Sequence, residues 1–386
     1  RWSRGLGDVY KRQGRLTKFL VVGEIAMSMG LLVAAGLMTK SITTLRDYDF
    51  GFDTDEVFTA RVGLFESEFP DTTSRRLFYD ELRRRVADAP GVQESSLATI
   101  LPGVGSNYST FNVEGEAYAD DRDYPGARWG QVDPDYFRTL GVDVVLGRAF
   151  EPSDNAYAEP VAIVNASFAQ EHLGEGSPLG RRFRPGRMDD DRAWLTVVGV
   201  VPDLWMQGAG NLDGPSEGYY VPVAQSDARF MSILARGPAN PMDLTAAVRD
   251  VVIAANADTP IYFVETLAGR IAENTWIYNV FGVLFMIFGA VALFPASVGL
   301  YGVMAFSVGR RTSEVGIRMA LGAEGGQVLS LILRQGAVQT LLGVVIGFGL
   351  AVLVARTLRL VLFEVSPNDP SVFGIVAVVL LVTGLA

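Results

Sequence analysis

Phe19–Met38, FLVVGEIAMSMGLLVAAGLM, is a run of twenty residues with one acidic interruption, and it limits this 386-residue chain more than any other feature. As a helix rising about 1.5 Å per residue, it reaches roughly the 30 Å of a bilayer's hydrocarbon core. Further apolar runs lie at the other end, at about 279–307, about 336–355 and 372–386. The last has fifteen residues and no flank, and the chain opens on Arg1 rather than Met, so the sequence reads as a fragment cut at both ends. The opening RWSRGLGDVYKRQ has no apolar period and no signal-peptide core. Residues 1–15 therefore read as an artefact or a disordered tail.

The charges divide where the apolar runs do. Residues 47–275 hold 19 arginines and no lysine against 37 acidic residues, a net of −18 within a chain whose total is −10. Lys11, Arg12, Arg15 and Lys18 precede the first span, and Arg310, Arg311 and Arg318 follow the second. By the positive-inside rule both short basic segments face the cytoplasm, and the acidic domain between the spans lies outside. Arg356 and Arg359, after the third span, run mildly against that orientation. With no cysteine to cross-link it, the outer domain must be held by its own core, and at about 230 residues it is large enough for one.

Within that domain EVFTARVGL, SRRLFYDELRRRVADAPGV and VQESSLATIL read as strand, helix, strand. Leu77, Phe78, Leu82 and Val86 share the inward face of the helix, Arg75, Arg76, Arg83 and Arg84 are left to water, and Pro90-Gly91 ends it. FMSILAR, the stretch 240–258 with Leu244, Val248, Val251 and Ala255 at helical spacing, and IYFV repeat the order. Two βαβ-like units thus flank an insertion at about 103–225, rich in Gly, Pro and Asp, with short strands at FNVEGE, VAIVN, TVVGVV and YYVPV and short helices at DYFRTLG and ASFAQEHL.

Several chemistries are excluded or weakened. There is no GxxxxGK[ST] loop, and LGAEGG lacks the Lys and Ser/Thr that hold phosphate and magnesium, so this chain does not bind ATP by that route. A single histidine, His172, supports neither a His-dependent triad nor an imidazole metal cluster and reads as a surface residue. Asp189-Asp190-Asp191 lacks the spacing of a calcium loop and reads as a solvated turn. No catalytic residue, cofactor, metal or nucleic-acid partner is expected.

Inside the spans, Glu24 stands five residues into the first, where an ionised carboxylate is costly. It can pair with a basic group or serve a function. Pro295 predicts a kink in the second span. Gly343 and Gly347 give a small-xxx-small spacing that suits either packing within the bundle or a homodimer face.

Residues 310–329, RRTSEVGIRMALGAEGGQVL, lie between two spans and are neither apolar nor loop-like. Arg311, Glu314 and Arg318 make a charged stripe, with Glu314 four residues ahead of Arg318 in the favoured order. Val315, Ile317, Met319, Ala320 and Leu321 cover the rest, and Gly322 can end the helix. This is an amphipathic helix across the inner membrane face, suited either to lying on lipid or to docking a cytoplasmic partner.

The stretch YGVMAFSVGRRTSEVGIRMALGAEGGQVLSLILRQG resembles the FtsX-like permease domain of MacB-type ABC transporters. The resemblance continues through YDFGFDTDEVFTARVGL, FNVEGE, DPDYFRTLGVDVVLGRAF, VAIVNASFAQEHLG, PLGRRFR, TVVGVVPDL and YYVPVAQ, from about Leu16 to the end, and is nearest to the ADOP-type predicted permeases. It implies an integral membrane protein with four transmembrane helices, the last truncated, and a large α+β extracytoplasmic domain of porter-like βαβ units with a β-rich insertion. The boundaries are 16–46 for the first transmembrane helix, 47–275 for the periplasmic core domain and 276–386 for the permease domain, with a coupling helix at about 311–323. By the same resemblance Arg311, Glu314, Gly316, Arg318, Ala320, Leu321 and Gly322 match the motif gripped by a separate ATPase. Pro295 and Gly325-Gly326 depart from the family's pattern.

The expected function is that of a mechanotransmission permease in a bacterial inner membrane. ATP hydrolysis by a partner would move a periplasmic domain that exports or extracts a substrate. A second permease copy, membrane lipid and a periplasmic adaptor are the further partners implied. The alternative is a membrane-anchored sensor or regulator of a periplasmic partner.

Overall fold

The computed structural model describes residues 2–46, 50–187, 190–208, 217–225, 227–310, 325–359, 362 and 365–385. In chain order its elements are α1 (Trp2–Arg46), β1 (Phe58–Gly63), α2 (Thr72–Ala87), β2 (Glu94–Ala98), β3 (Asn107–Val113), β4 (Gly126–Val132), α3 (Tyr136–Thr139) and β5 (Leu146–Gly147). There follow β6 (Val161–Asn165), α4 (Ala166–His172), β7 (Arg182–Pro185), β8 (Leu195–Val201), β9 (Gly218–Pro222), β10 (Phe230–Arg236), α5 (Thr245–Ala255), β11 (Ile261–Thr266) and α6 (Leu267–Asn274). The chain closes with α7 (Trp276–Arg310), α8 (Gly325–Leu358) and α9 (Pro370–Leu385). These form two compact units, one of residues 1–48 with 276–386 and one of 49–275.

In the first unit, α1 runs from Trp2 to Arg46. Among the described residues three helices are long and apolar enough to cross a membrane, Phe19–Thr44, Trp276–Gly299 and Gly336–Leu358, with a shorter apolar helix at Pro370–Thr383. Helix α7 runs through Pro295 as one element. Helices α7, α8 and α9 all pack on α1 where glycines remove side-chain bulk. A Cβ built on Gly289 would lie 2.7 Å from Leu32 Cδ2, one on Gly347 2.6 Å from Met29 Cβ, and one on Gly36 2.7 Å from Val372 Cγ1. Such contacts bring helix backbones close, which is where association in lipid gains its dispersion energy.

The second unit is built on a four-stranded antiparallel sheet of order β11-β1-β10-β2. The two βαβ-like stretches are thus interleaved halves of one split βαβ sheet rather than separate units. Alternation along the strands divides it cleanly. Phe58, Ala60, Val62, Ile233 and Leu97 face α2 and α5, where Phe78, Leu82, Val86, Val248 and Val252 complete the core. Val57, Ala98 and Leu234 face the other way, toward Leu267 and Ile271 of α6 and Tyr136, Phe137 and Leu140 of and after α3.

Helix α2 is capped by Asp71, whose side chain accepts the Ser74 N–H at 2.8 Å, an arrangement worth about 1 kcal/mol. It ends at Ala87, just before the expected Pro90-Gly91 stop. Two side-chain assignments on this helix reverse. Leu77 is 66 % exposed, and Arg75, expected in water, is 5 % exposed and sits beneath the helix with Tyr79. A guanidinium can be buried there because acceptors surround it. Arg75 Nε donates to Asp227 Oδ1 at 2.8 Å and Nη1 to the Phe69 carbonyl at 2.8 Å.

Between β2 and β10, in place of a hairpin, the chain inserts a closed barrel. Strands β4-β3-β7-β8-β6-β9 follow in order and β9 pairs back with β4 in parallel, while β5 adds to β8. Closure removes the unpaired edges that short strands would otherwise expose. All six strands contribute to one core, including Phe111, Ala127, Val164, Phe183, Val197 and Tyr219, with Phe168 of α4 packed into it. His172, expected at the surface, lies edge-on to Phe111 and Phe168 with ring centroids 4.9 and 5.3 Å away. Burial holds its imidazole below the ordinary value against the opposing pull of Glu217, Glu171 and Glu116. The last turn of α4 turns it inward, a placement that a lone His in a sequence does not signal.

Candidate functional site

The segment that carries Arg311, Glu314, Gly316, Arg318, Ala320, Leu321 and Gly322 lies outside the described residues, between the end of α7 at Arg310 and the start of α8 at Gly325. The helices that flank it can be followed in detail.

Glu24 is half-buried on α1. Its Oε2 lies 2.9 Å from the position a Cβ on Gly299 would take, so the missing side chain in α7 leaves room for the carboxylate. One turn further, Ser28 is fully buried, and its hydroxyl is within hydrogen-bond reach of the Glu24 carbonyl at 2.8 Å and of the Ala292 carbonyl of α7 at 3.0 Å. Glu24 therefore stands at the α1–α7 contact. Lys40 is committed elsewhere, to Asp369 at the head of α9, at 2.6 Å. The bond from Lys40, with a second from Ser371, holds the Asp369 carboxyl well below the usual range. Gly343 and Gly347 face α1, against Ile25, Ala26 and Met29, so their small-residue stripe is filled within the chain.

The 49–275 unit contains a cleft of about 530 Å³ where α2 meets the barrel. One wall is α2, with Arg76, Leu77, Asp80 and Arg83; the other is the turn 151–157 with the end of β9. That turn is pinned. Arg148 binds both Asp154 carboxylate oxygens at 2.7 and 2.9 Å, and Glu151 N–H donates to Asp154 at 2.8 Å. It projects Tyr157, 99 % exposed, opposite the exposed Leu77. The lining thus combines an aromatic ring and an alkyl side chain with charges of both signs, a pattern suited to amphiphilic molecules.

At the floor lies Asp133, 2 % exposed, between β4 and α3. Its Oδ2 accepts Leu97 N–H at 2.8 Å and its Oδ1 accepts Asp135 N–H at 3.0 Å. Its own N–H donates to the Leu97 carbonyl at 3.0 Å, so one residue ties the sheet to the barrel on both sides of the peptide. Burial pushes its carboxyl up to about 7, helped by the charge of Asp135 and opposed by the Leu97 bond and by Arg83. The sequence reading did not single out Asp133, and it left Arg75 to water. The VDPDYF run does signal an Asx turn before a helix, but burial of that carboxylate depends on strands β2 and β10, which are distant in sequence.

Comparison with known proteins gives this geometry its context. Residues 19–251 match the MacB-like periplasmic core domain, and residues 286–386 match the FtsX-like permease C-terminal region. The macrolide export ATP-binding/permease protein MacB 1/2 of Paracoccus denitrificans is 24 % identical over 359 residues, covering 89 % of this chain and 49 % of that protein. The pyoverdine export ATP-binding/permease protein PvdT of Pseudomonas putida is 25 % identical over 240 residues, covering 60 % of this chain and 36 % of that protein. The chain therefore spans between about a third and a half of the length of these curated relatives. Among solved structures, the periplasmic region of MacB from Actinobacillus actinomycetemcomitans matches 58 % of this chain and 93 % of its own at 16 % identity, with a TM-score of 0.37. The extracellular domain of the transporter YknZ from Gram-positive bacteria matches 53 % of this chain and 99 % of its own at 12 % identity, with a TM-score of 0.35. Since the core-domain match alone takes in more than half of the residues, this chain belongs to the MacB/FtsX-like ABC transporter permeases.

Proposed function

We propose that this chain is the permease of a mechanotransmission transporter of a bacterial inner membrane. A separate ATPase grips residues 311–323 on the cytoplasmic side, and its closure moves α7 and α8. The periplasmic unit moves with them and exports or extracts a substrate outside the bilayer. The short helix α9 acts as the fourth span, and a second permease copy completes the assembly, with membrane lipid around it and a periplasmic adaptor as a further partner.

One observation supports this most. Helix α6 ends at Asn274 and α7 begins at Trp276, so one residue, Thr275, separates the sheet-bound helix from the membrane helix that leads to the docking segment. Thr275 is buried, and both its N–H and its hydroxyl donate to the Ile271 carbonyl, at 3.0 and 2.9 Å. Those bonds close the end of α6, and a one-residue connection leaves little chain in which a displacement of α7 could be absorbed by a loop.

The test exchanges Glu314 and Arg318 with each other, as Glu314→Arg with Arg318→Glu. The i,i+4 pair survives in its less favoured order, at a cost of a few tenths of a kcal/mol, while the charge pattern shown to a partner is inverted. Normal membrane insertion with loss of ATPase co-purification is expected. Unchanged partner binding and turnover would leave residues 311–323 as a helix resting on lipid and reject the docking role.

A further inference from the structure

The face of the sheet turned away from α2 and α5 carries a second, smaller pocket of about 50 Å³, lined by strand β1, α6 and the turn that follows β2. Its wall includes two guanidinium groups, Arg61 and Arg270, with Thr59 and Ser232 beside them and no carboxylate. Thr59 and Ser232 are buried.

The two arginines differ in how far their donors are satisfied. Arg270 pairs with Glu265 at 3.4 Å and with Glu273, and its guanidinium lies over the Phe263 ring at 3.9 Å. Arg61 lies over Phe230 at 5.7 Å. Its Nε is buried and has no hydrogen-bond partner among the described residues. A charged N–H removed from water without an acceptor is costly, and native structures rarely keep one without a ligand or partner to receive it.

The backbone beside the pocket is distorted in the same direction. Between Thr59 and Arg61 the β1–β11 register shifts, so that Thr59 opposes Glu265 and Arg61 opposes Tyr262. Phe263, inside the resulting bulge, has φ +55°, a conformation rare for a bulky side chain. Bulges re-aim side chains and gather at functional sites. This one brings the Phe263 ring against Arg270 at the pocket wall.

We propose that this pocket binds a small oxyanion, a carboxylate or phosphate group, with Arg61 as the residue that captures it and Arg270, held by Glu265 and Glu273, forming part of the wall. A water needs about 10–15 Å³ of such volume, so the space holds about four waters or one oxyanion head. A guanidinium offers a planar pair of N–H donors that matches either group. Ile100, Leu101 and Val104 on the remaining wall are apolar and suit an alkyl stem behind a carboxylate. The assignment concerns the 49–275 unit and stands independently of ATPase docking.

Calorimetric titration of the full chain in detergent with sodium butyrate, and separately with inorganic phosphate, tests it. Saturable binding of at least one is expected, weakened at least tenfold in Arg61→Gln and less in Arg61→Lys, which keeps the charge but loses the paired donors. Butyrate binding without phosphate assigns a carboxylate on an apolar stem; the reverse assigns a free oxyanion. In the unaltered protein, either probe that binds should also protect Arg61 from phenylglyoxal, read by mass spectrometry, so a poorly folding variant does not remove the test. No saturable binding of either probe, an affinity unchanged in Arg61→Gln, or no protection of Arg61 would overturn the proposal.

Discussion

Asp133 and Leu97 exchange two hydrogen bonds across the joint between the sheet and the barrel, Leu97 N–H to the Asp133 carboxylate at 2.8 Å and Asp133 N–H to the Leu97 carbonyl at 3.0 Å. No other strand pairing ties β2 to the barrel except the single register Ala98↔Val132 among the described residues. The carboxylate thus reinforces a narrow connection, and its titration has a mechanical consequence.

That consequence is a pH dependence with a defined sign. The folded carboxyl titrates at about 7 against an ordinary 3.8, so the native state holds a proton that the unfolded state has lost. Stability from this group is therefore full below pH 4 and is lost as pH rises toward 7. Asp133→Asn removes that slope and leaves one backbone donor facing an amide NH₂, at a cost of about 1–3 kcal/mol. Thermal unfolding of the full chain in detergent should show the variant clearly below the parent at pH 5, with the gap narrowing at pH 8. A constant gap would mean that Asp133 does not titrate in this range.

Two arginines of one helix should differ sharply. Arg75→Ala removes a buried guanidinium from Asp227 and the Phe69 carbonyl and should cost about 1–3 kcal/mol, discounted because Asp227 is itself largely exposed. Arg84→Ala breaks a surface pair with Glu81 at 2.7 Å and should leave the denaturant midpoint nearly unchanged. Denaturant midpoints of the two variants check the ranking.

Two glycines of α8, two positions apart on either side of Phe348, give a matched pair in the membrane. A methyl on Gly347 would lie 2.9 Å from the Ala26 Cα and carbonyl, backbone that cannot rotate away, while one on Gly349 meets nothing within 4 Å. Gly347→Ala should lower the unfolding temperature in detergent, an overpacking cost of about 1–3 kcal/mol. Gly349→Ala should leave it unchanged or raise it slightly.

Orientation rests on the short basic segments. Cysteines placed at Asp120 and Asp190 should react with an impermeant thiol reagent in intact cells, and one at Glu324 should not. Reaction at all three would reverse the assignment of sides.

The split between what was legible in the sequence and what was not follows from the range of the interactions concerned. Span lengths, charge asymmetry and strand or helix identity are local properties. Strands β6 and β10 were read to the residue, and helix α2 to within a few residues of its ends, because alternation, helical spacing and an Asx cap act within one or two turns. The same local reading put Arg75 in water and Leu77 in the core, because Arg75 is buried through Asp227, 152 positions away, and no periodicity carries that information.

What only the tertiary structure decided is how distant segments close on one another. Strand β4 was not anticipated, since GARWGQV has little alternation, yet it is the strand that completes the ring by pairing with β9. The glycines of α8 could equally have faced a second copy until α1 was found against them. Sequence alone determined that this chain spans a membrane and carries one large acidic domain, because burial of apolar length and placement of charge are dictated residue by residue. Which carboxylate is buried at the joint, which arginines are left with a buried donor, and which helix occupies the centre of the bundle depend on contacts between residues far apart in the chain, and those exist only once the fold has formed.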